Sequence, residues 1–168
     1  NGIGVTWLRN IAKNEVSYRS MIFKQLQSLF VNDNLCVNVD FLRLFLSLSD
    51  SDQTNEVVKS LTAKVTESDS TEVFLALECL LLVAVENKSF LEVIGRSEGL
   101  IPKLTTLFHE RSTIGVAAGK LLNALVDNNH NKSLIKAQPG FIDHVFNRFM
   151  DTLLVESPNK NLMVDMLE

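Results

Sequence analysis

Residues 86–108, ENKSFLEVIGRSEGLIPKLTTLF, share a layout with residues 130–149, HNKSLIKAQPGFIDHVFNRF. Both open around Asn-Lys-Ser, run into a short apolar helix pattern, break at a glycine and resume as a second apolar helix. Gly99 and Gly140 stand 41 residues apart, each where one helix should end and the next begin. A unit of this size cannot bury its apolar face alone. A chain built from such units is therefore confined to stacked arrays in which each one covers its neighbour.

A longer helix pattern precedes each of these segments, STEVFLALECLLLVAVEN before the first and RSTIGVAAGKLLNALVDNN before the second. Each unit is thus one short, one medium and one long helix. The long pattern returns in GVTWLRNIAKN and in VNVDFLRLFLSLSDSD. Matching apolar positions puts Asn10, Ser47, Leu82 and Asn123 in register, at steps of 37, 35 and 41 residues. The intervening EVSYRSMIFKQLQSLF and TNEVVKSLTAKVTES carry no glycine break, and each reads as one continuous helix. Few prolines and glycines, with Leu, Val and Phe spaced by three and four, predict an all-α chain without hairpins. From Phe141 to Leu154 the apolar residues form one broad helical stripe, which is core rather than a cofactor box.

Composition narrows the function classes. With 168 residues and 46% hydrophobic content, the chain can bury a core as a single domain over residues 1–168. Sixteen basic against 20 acidic side chains provide no field to hold a phosphate backbone, so nucleic acid is not an expected partner. Charge runs from +2 over residues 1–49 to −4 over 50–72 and −2 over 73–168, the acidic stretch reading as a solvated helix with loops at its ends. The most apolar run, VFLALECLLLVAV, spans 13 residues around Glu78. That is short of the ~20 needed to cross a bilayer, and no membrane partner is expected. Cys36 and Cys79 sit in apolar contexts without CxxC spacing, which suits buried thiols in a reducing compartment, the cytoplasm or the nucleus. The sequons at Asn87 and Asn131 matter only in a secreted chain. Asn1 in place of methionine suggests a piece of a longer protein, and the apolar NLMVDMLE at the other end suggests exposed ends able to self-associate.

The period of about 40 with three helices per unit resembles the armadillo repeat family. GLIPKLTTLF looks like the family's second helix and VAAGKLLNALVDN like its third. The resemblance implies a right-handed α-solenoid of about four degenerate repeats, with the third helices lining a concave groove. In that family an asparagine on the third helix hydrogen-bonds the backbone of an extended peptide. Asn10 and Asn123 match that position, and a role bridging neighbouring helices stands beside it. Import receptors carry a tryptophan one turn earlier. Here Thr6, Arg43, Glu78 and Gly119 occupy those places, and Trp7 lies about 100° round the helix. A charged, shallow groove suits a folded partner better than a basic peptide, with Arg43 and Glu78 able to pair across it.

No chemistry-bearing constellation stands out. His109, His130 and His144 fall at predicted helix ends or on a polar face with no metal-ligand spacing, and they read as surface histidines. GRSEG lacks the residues of a phosphate cradle, and the carboxylate pairs Asp50/Asp52 and Glu67/Asp69 sit in polar linker sequence. The expectation is a non-enzymatic scaffold or adaptor, without cofactor or metal, that binds a protein partner through Asn10, Arg43, Ser47, Glu78, Leu82 and Asn123. The rival readings are a chaperone regulator like the armadillo domains that exchange Hsp70 nucleotide, and an ataxin-10-like cytosolic armadillo protein.

Overall fold

The computed structural model describes residues 2–14, 16–31, 39–67 and 71–152. Asn1, Cys36, Asp69, Leu153, Leu154 and the closing NLMVDMLE lie outside the described residues. Every regular element among those described is helical, as the spacing of apolar residues predicts. The chain divides into two compact units, Asn1–Leu61 and Thr62–Glu168.

In the first unit, α1 (Gly2–Asn14), α2 (Val16–Val31) and α3 (Val39–Leu48) pack mutually. The glycine-free stretch after α1 is one unbroken helix, and Arg19 of α2 donates to the Leu48 carbonyl at the C-terminus of α3, where the helix dipole favours a cation. Helix α4 (Ser51–Glu67) begins at a reciprocal capping box. The Gln53 amide donates to Asp50 Oδ1 at 2.8 Å, and the Asp50 amide donates to Gln53 Oε1 at 3.0 Å. The acidic linker is therefore a helix start. Val57, Val58, Leu61 and Val65 are buried along one face, and Glu56, Lys59 and Glu67 stay exposed.

The second unit contains two successive triplets, α5 (Thr71–Glu86), α6 (Leu91–Gly95, entered by a 3₁₀ turn at Lys88–Phe90) and α7 (Leu100–His109), then α8 (Thr113–Leu125), α9 (Asn129–Lys136) and α10 (Phe141–Thr152). Helix α5 is apolar almost all round, and it is buried accordingly, with Leu77, Leu80 and Val83 inaccessible. Opposing helices approach α8 closely because its buried positions include Gly115, Ala117, Ala118 and Gly119. It packs on both α5 and α7, while α9 packs on α6 and α7.

The repetition extends to individual hydrogen bonds. Leu100 N donates to Ser97 O at 3.2 Å, and 41 residues on Phe141 N donates to Gln138 O at 3.2 Å. Lys103 N to Gly99 O and His144 N to Gly140 O, both 3.1 Å, repeat likewise. Gly99 and Gly140 adopt φ of 72° and 69°, the left-handed conformation that glycine enters without steric cost, so each turns the chain into the next helix.

The Asn-Lys-Ser match itself is displaced. Asn87 caps the 3₁₀ turn by accepting from Ser89 N, and its counterpart is Asn128, which caps α9 by accepting from Asn131 N. Asn131 has a different task. It is 0% exposed, and its Nδ2 donates to the Leu91 carbonyl at 2.7 Å, tying α9 to α6. Gly95 makes room for it, since a Cβ there would lie 2.0 Å from Asn131 Oδ1. Lys88 and Asp127, 2.9 Å apart, add an exposed link between the triplets, of the kind that contributes ~0–1 kcal/mol.

Gly95→Ala should destabilise the fold by about 1–3 kcal/mol, against its gain in helix propensity, because the new methyl group overpacks a filled site. Asn131→Ala should also destabilise, by about 1–3 kcal/mol, through loss of the buried bond from its Nδ2 to the Leu91 carbonyl. In the double variant the alanine at 131 vacates the space that the methyl needs, so urea-unfolding free energies should be less than additive. Strict additivity would disprove the contact.

Candidate partner-binding groove

One turn carries the local design of the site. Helix α7 closes with the Glu110 amide donating to Leu107 O at 3.0 Å, and α8 opens at Ser112, whose Oγ accepts from Gly115 N at 3.1 Å. Gly115 is the residue the chain folds back over: a Cβ there would sit 2.1 Å from the Glu110 carbonyl oxygen. This tight reversal sets Arg111, Ser112 and Thr113 on the rim of a groove of about 700 Å³.

Phe74 and Glu78 of α5 line it on one side and Val116, Ala117 and Lys120 of α8 on the other, and Arg148 of α10 is also in the lining. Glu78 and Lys120 face each other at 4.0 Å, both partly exposed. Arg148 is the better anchored cation. It donates to the Phe108 carbonyl, and its guanidinium carbon lies 4.8 Å from the centre of the Phe108 ring, a cation–π arrangement.

Beside Arg148 the structure corrects the reading of one histidine, His144, while His109 and His130 are exposed as expected. His109 at the end of α7 and His144 of α10 lie with ring centroids 3.6 Å apart and planes tilted by 51°, and His144 also meets Phe108 edge-on at 5.7 Å. His144 is half-buried rather than a surface residue, and its Nε2 is buried without a hydrogen-bond partner among the described residues. Sequence spacing missed the pair because the two rings come from different helices. Burial first, then the charges of His109, Arg148 and Arg111, pushes the His144 pKa down from 6.5 to about 4. Cys79 is buried in α5, and burial raises its thiol to about 12, so the nucleophilic thiolate is suppressed. Among the described residues, no group of three His, Cys, Asp or Glu side chains is placed to hold a metal ion.

Of the six positions proposed from sequence, Glu78 lines this groove. Leu82, one turn further along α5, is buried in the core. Asn123 continues the Val116–Lys120 face of α8 by helical spacing and is half-buried, with an Oδ1 that meets no donor among the described residues. Asn10 is exposed on α1, as are Arg43 and Ser47 on α3, where Ser47 Oγ donates to Leu44 O at 2.7 Å. These three belong to the first unit, and Glu78, Leu82 and Asn123 to the second. Trp7 is 63% exposed.

Phe74, Arg111, Lys120 and Arg148 were not singled out from sequence. Phe74 lies four residues before Glu78 and Lys120 three before Asn123, so helical spacing alone could have added them. Arg111 and Arg148 carry no such signal, being brought in by the Glu110 turn and the Gly140 break. No family model, curated protein or solved structure matches the chain. No helix among the described residues is long and apolar enough to cross a membrane.

The depressed His144 pKa fixes the sign of a pH effect. The folded state favours the neutral ring, so the stabilisation is fully present above the unfolded pKa of 6.5 and is lost as pH falls towards about 4. Melting temperature should drop across that window in the wild type and drop less in His144→Gln. Equal slopes would remove His144 as the cause.

Proposed function

We propose that this chain is a protein-binding module of armadillo-like architecture that takes a partner in the groove between α5 and α8. The observation that carries this reading is the groove itself: an open cleft with apolar walls at Phe74, Val116 and Ala117 and charged groups at its rim. An apolar centre with a charged edge is the usual anatomy of a protein-recognition surface. The hydrogen bonds that recur at a 41-residue step support the repeat architecture, and stacked helical triplets offer an extended surface suited to recognition. On this reading Glu78 contributes to binding from α5, and Asn123 lies further along the same face of α8.

Affinity capture from a cytosolic lysate, with Phe74→Asp and Thr113→Trp variants beside the wild type, tests the assignment. Both residues are exposed, so the folds should survive, as circular dichroism and melting temperature will report. A partner held by the wild type should be retained about tenfold less by each variant, the equivalent of ~1.4 kcal/mol. Undiminished capture by both folded variants would overturn the groove as the binding surface.

A further inference from the structure

We propose that the groove's occupant is a short acidic peptide segment of the partner, with an apolar side chain flanked by carboxylates; this rests on the protein-binding reading above. The charges at the groove are three cations, Arg111, Lys120 and Arg148, against two carboxylates, Glu78 in the lining and Glu110, which accepts from Ser112 Oγ at 3.3 Å. That local excess of one positive charge occurs in a chain whose net charge is −4. The site is thus opposite in sign to the molecule that carries it. Such an inversion favours an anionic ligand over a basic one, which would find two carboxylates and three like charges.

The fixed positions of the charges favour the same occupant. Arg148 is held by the Phe108 carbonyl and stacked over its ring, so little side-chain freedom remains to be lost on binding. Lys120 is held loosely, 4.0 Å from Glu78 with both side chains partly exposed, and an exchange of that contact for a ligand carboxylate costs little. The α8 N-terminus at Ser112 and Thr113 adds its partial positive charge to the same rim. Between these groups the walls are Phe74, Val116 and Ala117, which offer an apolar side chain its place. A bare phosphate or a nucleic-acid backbone would leave those walls unused. A volume of about 700 Å³ falls within the usual range of ligand clefts and accommodates a few side chains.

The test is fluorescence anisotropy on the whole chain with a labelled peptide that carries a Leu-Phe pair between glutamates. Control peptides have the glutamates replaced by glutamine or by lysine. The glutamate peptide should bind about tenfold tighter than the glutamine peptide, lose that margin as salt rises, and bind about tenfold more weakly to Lys120→Glu and to Arg111→Glu. Melting temperatures identify any variant that fails to fold, and each variant serves as a check on the other. Equal affinity for glutamate and glutamine peptides, or preference for the lysine peptide, would overturn the proposal. So would equal competition by a single-stranded oligonucleotide of the same charge, which would mark a general polyanion site. If no acidic peptide binds while Phe74→Asp and Thr113→Trp still abolish partner capture, the acidic occupant is wrong and the groove stands. If capture is also unaffected, both readings fail.

Discussion

The second unit depends on a buried hydrogen bond that runs from the Asn131 side chain to the Leu91 carbonyl. In an apolar interior a donor without an acceptor is costly, so the Nδ2 bond accepts few other geometries for α9 against α6, while Oδ1 is buried without a donor among the described residues. Gly95 is part of the same constraint, because no other residue leaves space for the amide. Once α9 is set, the turn at Gly140 directs α10 towards the end of α7, where Phe141 and His144 meet Phe108. Arg148 then reaches the Phe108 carbonyl. The position of a cation at the groove thus traces back, through two helices and a glycine turn, to one buried amide.

The walls of the groove and its charged groups answer to different forces. The walls on α5 and α8 are fixed by close packing, since the small residues of α8 let the helices approach until the apolar faces are covered. What remains uncovered is the start of each helix, where Phe74 and Val116 are partly exposed. The charged rim contributes little to stability, because Lys120 and Glu78 are both wet and 4.0 Å apart. A surface of this kind can vary its charge without endangering the fold. Its sign, opposite to that of the chain, is therefore not set by what holds the fold together.

Helix content and the glycine breaks were legible in the sequence because they follow from local rules: apolar spacing, and the freedom of glycine at positive φ. The continuity of α2 and α4 was legible for the same reason. The groove was half legible. Glu78 and Asn123 were reached by alignment of long helices, and Phe74 and Lys120 were within reach of the same spacing. Arg111, Arg148 and the paired histidines were not, since the encounters that define them join residues far apart in the chain.

The Asn-Lys-Ser triplets show where such reading fails. Their identity suggested equivalence at a step of 44 residues, whereas the backbone repeats at 41, so that Asn87 corresponds to Asn128. The reason is that asparagine satisfies two opposite demands. At a helix start its oxygen accepts from free amides. In a core its amide can bridge to a carbonyl of the neighbouring helix, as Asn131 does to Leu91. The first use recurs with the repeat because every helix has a start; the second appears where one triplet must be held in register against the previous one. Asn123, which sequence comparison placed in a ladder, is a third case, half-buried with its oxygen unpaired. The residue type marks positions where the backbone needs a polar partner, and only the packing decides which partner that is.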